Sequence, residues 1–180
     1  MILLLRMYRT IFFMGILCSI MLFGCSTSSE TVEGSSTNSV KSDILGKVKI
    51  GQLDGVSIGI GATKKEVIEK LGKPTRTGNS EYGFTMYYDG FSLEFEDYAN
   101  SIDELNENSK IALINADPKM VGLTGKPDEI KGILGTPSRE ILDDTGDDTF
   151  ILEYSESDYL LKLTFDTDDN PVKYITLQIK

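Results

Sequence analysis

The sequence predicts an α+β domain. Its expected plan is a tandem repeat of a short helix plus an antiparallel hairpin and strand, forming one antiparallel sheet with helices on one face. Two observations carry that expectation. A punctuated helix motif occurs twice at a constant spacing, and each copy is followed by two runs of alternating apolar residues.

The first motif reads Thr63-Lys64-Lys65-Glu66-Val67-Ile68-Glu69-Lys70-Leu71-Gly72-Lys73-Pro74. The second reads Lys126-Pro127-Asp128-Glu129-Ile130-Lys131-Gly132-Ile133-Leu134-Gly135-Thr136-Pro137. Glu66, Val67, Leu71, Gly72 and Pro74 return at a shift of 63 as Glu129, Ile130, Leu134, Gly135 and Pro137. An internal period of this kind marks a duplicated supersecondary unit. Thr63 and Glu66 have the spacing of a capping box. Pro127 suits a first helical position, where its missing N–H costs nothing. Gly72 and Gly135 suit a left-handed C-terminal residue, with proline two positions later blocking continuation. Val67 with Leu71, and Ile130 with Ile133 and Leu134, give each helix one apolar stripe.

Phe84, Met86 and Tyr88 alternate up to Asp89-Gly90, a favoured two-residue turn, and Phe91, Leu93 and Phe95 alternate away from it. Tyr88 then faces Phe91, Met86 faces Leu93 and Phe84 faces Phe95, all on one face. The second unit offers Phe150, Leu152 and Tyr154, a longer loop over Ser155 to Asp158, then Tyr159, Leu161, Leu163 and Phe165. A third strand is expected in each unit, at Lys110 to Ile114 and at Val172 to Ile179. Neither unit can bury its sheet face alone, so the two are expected to share one sheet. Repeat one covers about 44–115 and repeat two about 116–180.

The N-terminus reads as an export signal. Arg6 and Arg9 precede an apolar run from Ile11 to Phe23, then Gly24 and Cys25. That run is shorter than the roughly 20 residues a membrane-spanning helix needs. Leu22-Phe23-Gly24-Cys25 resembles the bacterial lipobox. The resemblance implies removal of residues 1–24, a diacylglyceryl thioether on Cys25, and a lipid-anchored protein at the extracytoplasmic face of the cell membrane. Met7 is an alternative start to Met1. Residues 26–43, rich in Ser and Thr, read as a flexible tether reaching roughly 20–25 Å on average.

Composition restricts the chemistry. The chain has 18 basic and 28 acidic residues; losing Arg6 and Arg9 leaves 16 against 28, a net charge of −12. That balance argues against nucleic acid or anionic lipid headgroups as partners. With no histidine, and with Cys18 and Cys25 both outside the folded part, Ser–His–Asp, Cys–His and thiolate–metal chemistry are excluded there. No cofactor is expected, and the reading leans away from an enzyme. Carboxylate-only chemistry of the glycosidase kind stays open.

The capped helix motif, the tyrosine-rich hairpin and the lead-in Gly46-Lys47-Val48 with Ile58-Gly59-Ile60-Gly61, all behind a lipobox, resemble the YjgB-like lipoproteins of Gram-positive bacteria, a family of unknown function. More distantly, the helix-then-sheet repeat is similar to the β-lactamase inhibitor protein and to small outer-membrane assembly lipoproteins. The distant likeness implies a scaffold that binds proteins through its sheet face or loops.

Tyr87, Ile151, Leu160 and Tyr174 fall on the face opposite the aromatic one, an unusual mixture for a purely solvated surface, and are the candidate protein-binding residues. The plainer alternative is that a loop or the segment 44–60 covers them. Asp143, Asp144, Asp147 and Asp148 form a candidate calcium cluster, against the plainer reading of a solvated acidic loop. The expected function is a membrane-tethered, non-catalytic binding module for protein or cell-wall material. The alternative is a carboxylate-based hydrolase acting on carbohydrate or wall polymer.

Overall fold

The computed structural model describes residues 43–143 and 149–180. Cys25, the lipobox and nearly all of the tether lie outside the described residues. The chain opens on α1 (residues 43–48) and continues through α2 (Lys64–Leu71), β1 (Arg76–Asn79), β2 (Phe84–Tyr88), β3 (Phe91–Phe95) and β4 (Ile111–Ala116). After α3 (Pro118–Val121) come α4 (Pro127–Leu134), β5 (Arg139–Asp143), β6 (Thr149–Glu156), β7 (Tyr159–Phe165) and β8 (Val172–Ile179). The eight strands form one antiparallel sheet in the order β1-β2-β3-β4-β8-β7-β6-β5. The fold class is therefore α+β, as expected.

Local chemistry explains the helices. The Thr63 hydroxyl accepts from the Glu66 N–H at 3.3 Å, and the Glu66 carboxylate accepts from the Thr63 N–H at 2.7 Å. The second helix starts with Pro127 at its first position, and the Glu129 carboxylate accepts from the Lys126 N–H at 2.9 Å. Gly72 (φ 75°, ψ −164°) and Gly135 (φ 80°, ψ −162°) end the helices. Their φ is positive as expected, but ψ is extended rather than left-handed helical, a region open essentially to glycine alone.

The first hairpin has the expected register near its turn, with Tyr88 opposite Phe91 and Met86 opposite Leu93, but the ladder stops at Thr85 opposite Glu94. An irregularity at Glu94-Phe95 means that the Phe84 N–H donates to the Asp97 carbonyl, and Phe84 does not pair with Phe95. In the second, Phe150 pairs with Phe165, Leu152 with Leu163 and Tyr154 with Leu161. The loop expected over Ser155 to Asp158 is shorter than that: pairing continues to Glu156 opposite Tyr159, and Ser157-Asp158 makes the turn with Ser157 at φ 51°. A serine tolerates that single left-handed position, so the longer strands keep their ladder. β4 begins at Ile111 and runs to Ala116, two residues past the expected end.

Phe84, Met86, Leu93, Phe95, Leu152, Tyr154, Leu163 and Phe165 are buried together with Val67 of α2 and Ile130 and Leu134 of α4. The helices thus share the aromatic face of the sheet, the inner face. Residues 44–60 join the same side. Ile44, Val48, Leu53, Val56 and Ile58 belong to the core, Gly51 lies against the ring of Tyr159, and Gly55 against Met120. This segment therefore does not cover the opposite face.

β1 and β5 are strands that apolar alternation does not announce. Arg76–Asn79 has no apolar side chain, and Arg139–Asp143 is mostly exposed. Both are the edge strands of the sheet, where short polar segments with charge or glycine discourage further pairing.

Candidate functional site

The outer face is built on an unbroken row of residues across all eight strands. Arg76 pairs with Tyr87, Tyr87 with Ser92, Ser92 with Asn115 and Asn115 with Thr176. Thr176 pairs with Lys162, Lys162 with Glu153 and Glu153 with Arg139. The row starts and ends on an arginine and contains no aliphatic side chain. Arg76 lies 3.8 Å above the ring of Tyr87, a cation–π contact. At the other end Arg139 and Lys162 stand 3.7 and 3.8 Å from the buried carboxylate of Glu153.

The centre is held by side-chain hydrogen bonds. Thr176 Oγ1 donates to Asn115 Oδ1 at 2.7 Å, and Asn115 Nδ2 donates to Glu94 Oε1 at 2.9 Å. Ser80 Oγ donates to the other Glu94 oxygen at 2.7 Å. Both oxygens of Glu94 are thus hydrogen-bonded, and Glu153 is flanked by two cations, the kind of compensation that a buried carboxylate requires.

The four candidate binding residues all lie on this outer face, and the structure divides them. Tyr87 and Tyr174 line one open depression of about 350 Å³ with Ser92, Asn115 and Asp117. Tyr174 is 43% exposed, whereas the Tyr87 ring is half-buried under Arg76. Ile151 shares a row with Tyr174 through Thr164. Leu160 pairs with Gln178, at the far end of β8 from Tyr174. What the alternation missed is the contribution of the edge strands, Arg76 and Arg139, because neither segment reads as a strand. The shift of 63 that relates the helices also relates these two arginines, and was the available signal.

Of the acidic cluster, Asp143 ends β5 opposite Thr149, while Asp144, Asp147 and Asp148 lie outside the described residues. Among the described residues no group of three or more His, Cys, Asp or Glu is placed to hold a metal. Among them, too, no helix is long and apolar enough to cross a membrane.

Behind the outer face, two tyrosines tie strand to helix. Tyr88 Oη donates to the Gly72 carbonyl and Tyr154 Oη to the Gly135 carbonyl, each at 3.1 Å. Burial raises the pKa of both phenols. For Tyr154, burial and then the nearby Glu140 carboxylate push it up to about 12.

An eight-stranded antiparallel sheet with short helices on one face and a polar row on the other defines the class, a small α+β domain. The chain belongs to the DUF4309 family, a domain of unknown function, whose family model matches residues 41–178. It is similar in structure to a DUF4309 family protein, YjgB, from Bacillus subtilis subsp. subtilis str. 168. That likeness has a TM-score of 0.58 at 15% identity and covers 81% of this chain and 100% of that one. A weaker likeness, TM-score 0.42 at 15% identity, is to an extracellular protein containing a SCP domain from Bacillus anthracis str. Ames. It covers 67% of this chain and 44% of that one. No curated protein sequence matches the chain.

Proposed function

We propose that the protein is a lipid-anchored surface lipoprotein whose domain is a non-catalytic binding module for protein or cell-wall material. The domain arose by tandem duplication of a helix, edge strand, hairpin and central strand. In support, the two Tyr-to-glycine hydrogen bonds occupy corresponding places in the two halves. Interchanging the halves also exchanges the pairs Ile114–Leu177 and Ala116–Ile175 and leaves Asn115–Thr176 at the centre.

The observation that carries the binding reading is the outer row with Tyr87 and Tyr174 around one depression. Exposed tyrosine beside engaged polar groups offers contact area at low entropic cost. Anchoring rests on the lipobox-like Leu22-Phe23-Gly24-Cys25, since several acyl chains at ~0.8 kcal/mol per buried CH₂ hold a protein durably. Less supports a hydrolase on this face. Glycosidases need two carboxylates about 5–9.5 Å apart. Glu94 and Glu153 stand on β3 and β6, four strand spacings apart, or roughly 19 Å.

Co-sedimentation of the full chain with purified cell-wall sacculi, and crosslinking in cells, test the reading. Tyr174→Ala should reduce capture several-fold while the melting curve stays put; undiminished capture would remove this face from consideration. Cys25→Ser should abolish lipid labelling and release the protein from membranes. A serine variant that stays membrane-bound would refute the anchor.

A further inference from the structure

A second concavity, about 400 Å³, lies beyond the edge of the sheet, between the end of α2, β1 and the excursion between β3 and β4. Three cations, Lys64, Lys73 and Arg76, surround it against one acid, Asp103. In a chain with 28 acidic and 18 basic residues, such a gathering runs against the overall balance. Among the described residues, none of the three cations has a carboxylate within 4.0 Å. Lys64 is steered by one hydrogen bond, its Nζ donating to the Leu105 carbonyl at 2.7 Å, which leaves two N–H groups free. Arg76 also lines the concavity, with its guanidinium carbon 3.8 Å from the centre of the Tyr87 ring. Its apolar lining, Ile68, Pro74 and Ile102, is half-buried; Thr75, whose hydroxyl donates to the Tyr87 carbonyl at 2.9 Å and can still accept, and Thr77 also line it.

The corresponding place in the second half is built differently. Sixty-three residues on, Ile68 becomes Lys131 and Thr77 becomes Glu140. Lys131 Nζ contacts both Glu140 oxygens at 3.3 Å and Asp128 at 3.2 Å, so that copy neutralises itself. Lys64 and Lys73 become Pro127 and Thr136. The wall carrying Ile102 has no counterpart either, because β7 reaches β8 through the short turn 166–171 whereas β3 reaches β4 through 96–110. The first half alone therefore combines free cations, an apolar lining and a far wall.

We infer that this concavity binds a phosphate ester carried on a polyol or sugar. The three cations less Asp103 leave a net charge of +2, which matches a phosphate. Field lines concentrated in a concavity favour an anion even on an acidic protein. The threonine hydroxyls and apolar lining suit the body of the ester better than a bare ion. The concavity adjoins the Tyr174 surface through Arg76, which lines it and lies over the Tyr87 ring, but the inference does not rest on the binding role proposed for that surface.

The test is calorimetric titration of the full chain at low salt with glycerol phosphate, with inorganic phosphate alone, and with vesicles containing phosphatidylglycerol. Saturable binding of glycerol phosphate, tighter than inorganic phosphate and weakening as salt rises, is expected. Binding to the vesicles instead would assign the same ester to a lipid headgroup. Lys73→Ala with Arg76→Ala should weaken binding at least about tenfold, from loss of charge-assisted hydrogen bonds. Ile68→Lys with Thr77→Glu, which imports the self-neutralising pair of the second half, should abolish it. Melting curves confirm that each variant is folded. Equal affinity for inorganic phosphate would overturn the ligand class. Absence of binding, or an equal loss on replacing the distant exposed Lys49 and Lys119 by alanine, would overturn the site.

Discussion

Replacing Tyr154 by phenylalanine isolates one hydroxyl. Tyr154 is 3% exposed, and its ring sits in the core opposite Leu161. Phenylalanine keeps that ring, so packing on the inner face is unchanged. What goes is the hydrogen bond to the carbonyl of Gly135, the residue that ends α4. A net hydrogen bond is worth about 1 kcal/mol, and an unsatisfied acceptor adds to the loss. The expected destabilisation near neutral pH is thus about 1–2 kcal/mol, or roughly 3–5 °C in melting temperature per kcal/mol for a domain of this size.

The pH dependence adds a second check. The folded state holds the phenol proton to about pH 12, whereas the ordinary value is 10.0. A raised folded-state pKa contributes stability that is whole below the unfolded value and lost as pH rises through the folded one. Two units correspond to about 2–3 kcal/mol. The advantage of the tyrosine protein over the phenylalanine variant should therefore shrink from pH 10 upward and vanish before pH 12. Urea unfolding followed by circular dichroism at several pH values measures it, and the other titrating groups cancel in the difference. A constant difference across pH 9 to 11.5, or none at pH 8, would refute the reasoning.

Three further outcomes follow from the geometry. Gly135→Ala should cost about 1–3 kcal/mol from backbone strain alone, read as a lower urea midpoint at unchanged slope, because glycine there holds φ 80° with ψ −162°. Gly83→Ala should be worse, more than about 4 kcal/mol, and should show as loss of soluble folded protein. A Cβ at Gly83 runs into the carbonyl oxygen of Phe95, and φ is 151°. Thr63→Ala should cost about 1 kcal/mol and alter the acid limb of the stability curve. The Thr63 backbone N–H and then its hydroxyl hold Glu66 below the ordinary carboxylate value. That contribution is present above the ordinary value and lost as pH falls through the depressed one, so the variant should show less acid-dependent loss in chemical denaturation.

Much of the inner face is legible in the sequence because its signals are local. Asp89-Gly90 sets a two-residue turn, and the turn sets Tyr88 opposite Phe91. Period-two alternation then carries the register as far as Thr85 opposite Glu94, where the irregularity in β3 ends it. The helix limits are legible for the same reason, since Thr63, Glu66, Gly72 and Pro127 act on backbone groups within a few residues of themselves. The edge strands are not legible, because their only stabilisation is a partner already in the sheet. Thr75 N–H donates to the Tyr87 carbonyl and Ser138 N–H to the Glu153 carbonyl, both at the start of a polar segment.

Sequence by itself therefore determined α2 and α4, the turn of the first hairpin, the division of residues between two faces, and the absence of histidine and thiol chemistry from the domain. It did not determine the short α1 and α3. Tertiary structure decided that β4 lies beside β8 at the centre of the sheet, which unites the inner faces of the two halves over one core. That pairing alone brings Asn115 to Thr176 and sets Tyr87 and Tyr174 around the same depression. Likewise, only the folding of 96–110 against the start of α2, where the Leu105 carbonyl accepts from Lys64 Nζ, sets the Ile102 wall opposite Lys64, Lys73 and Arg76. The physical reason is range. Caps and turns are settled by hydrogen bonds a few residues away, while both surface sites depend on strands and loops that meet only when the whole sheet closes its apolar face against the helices.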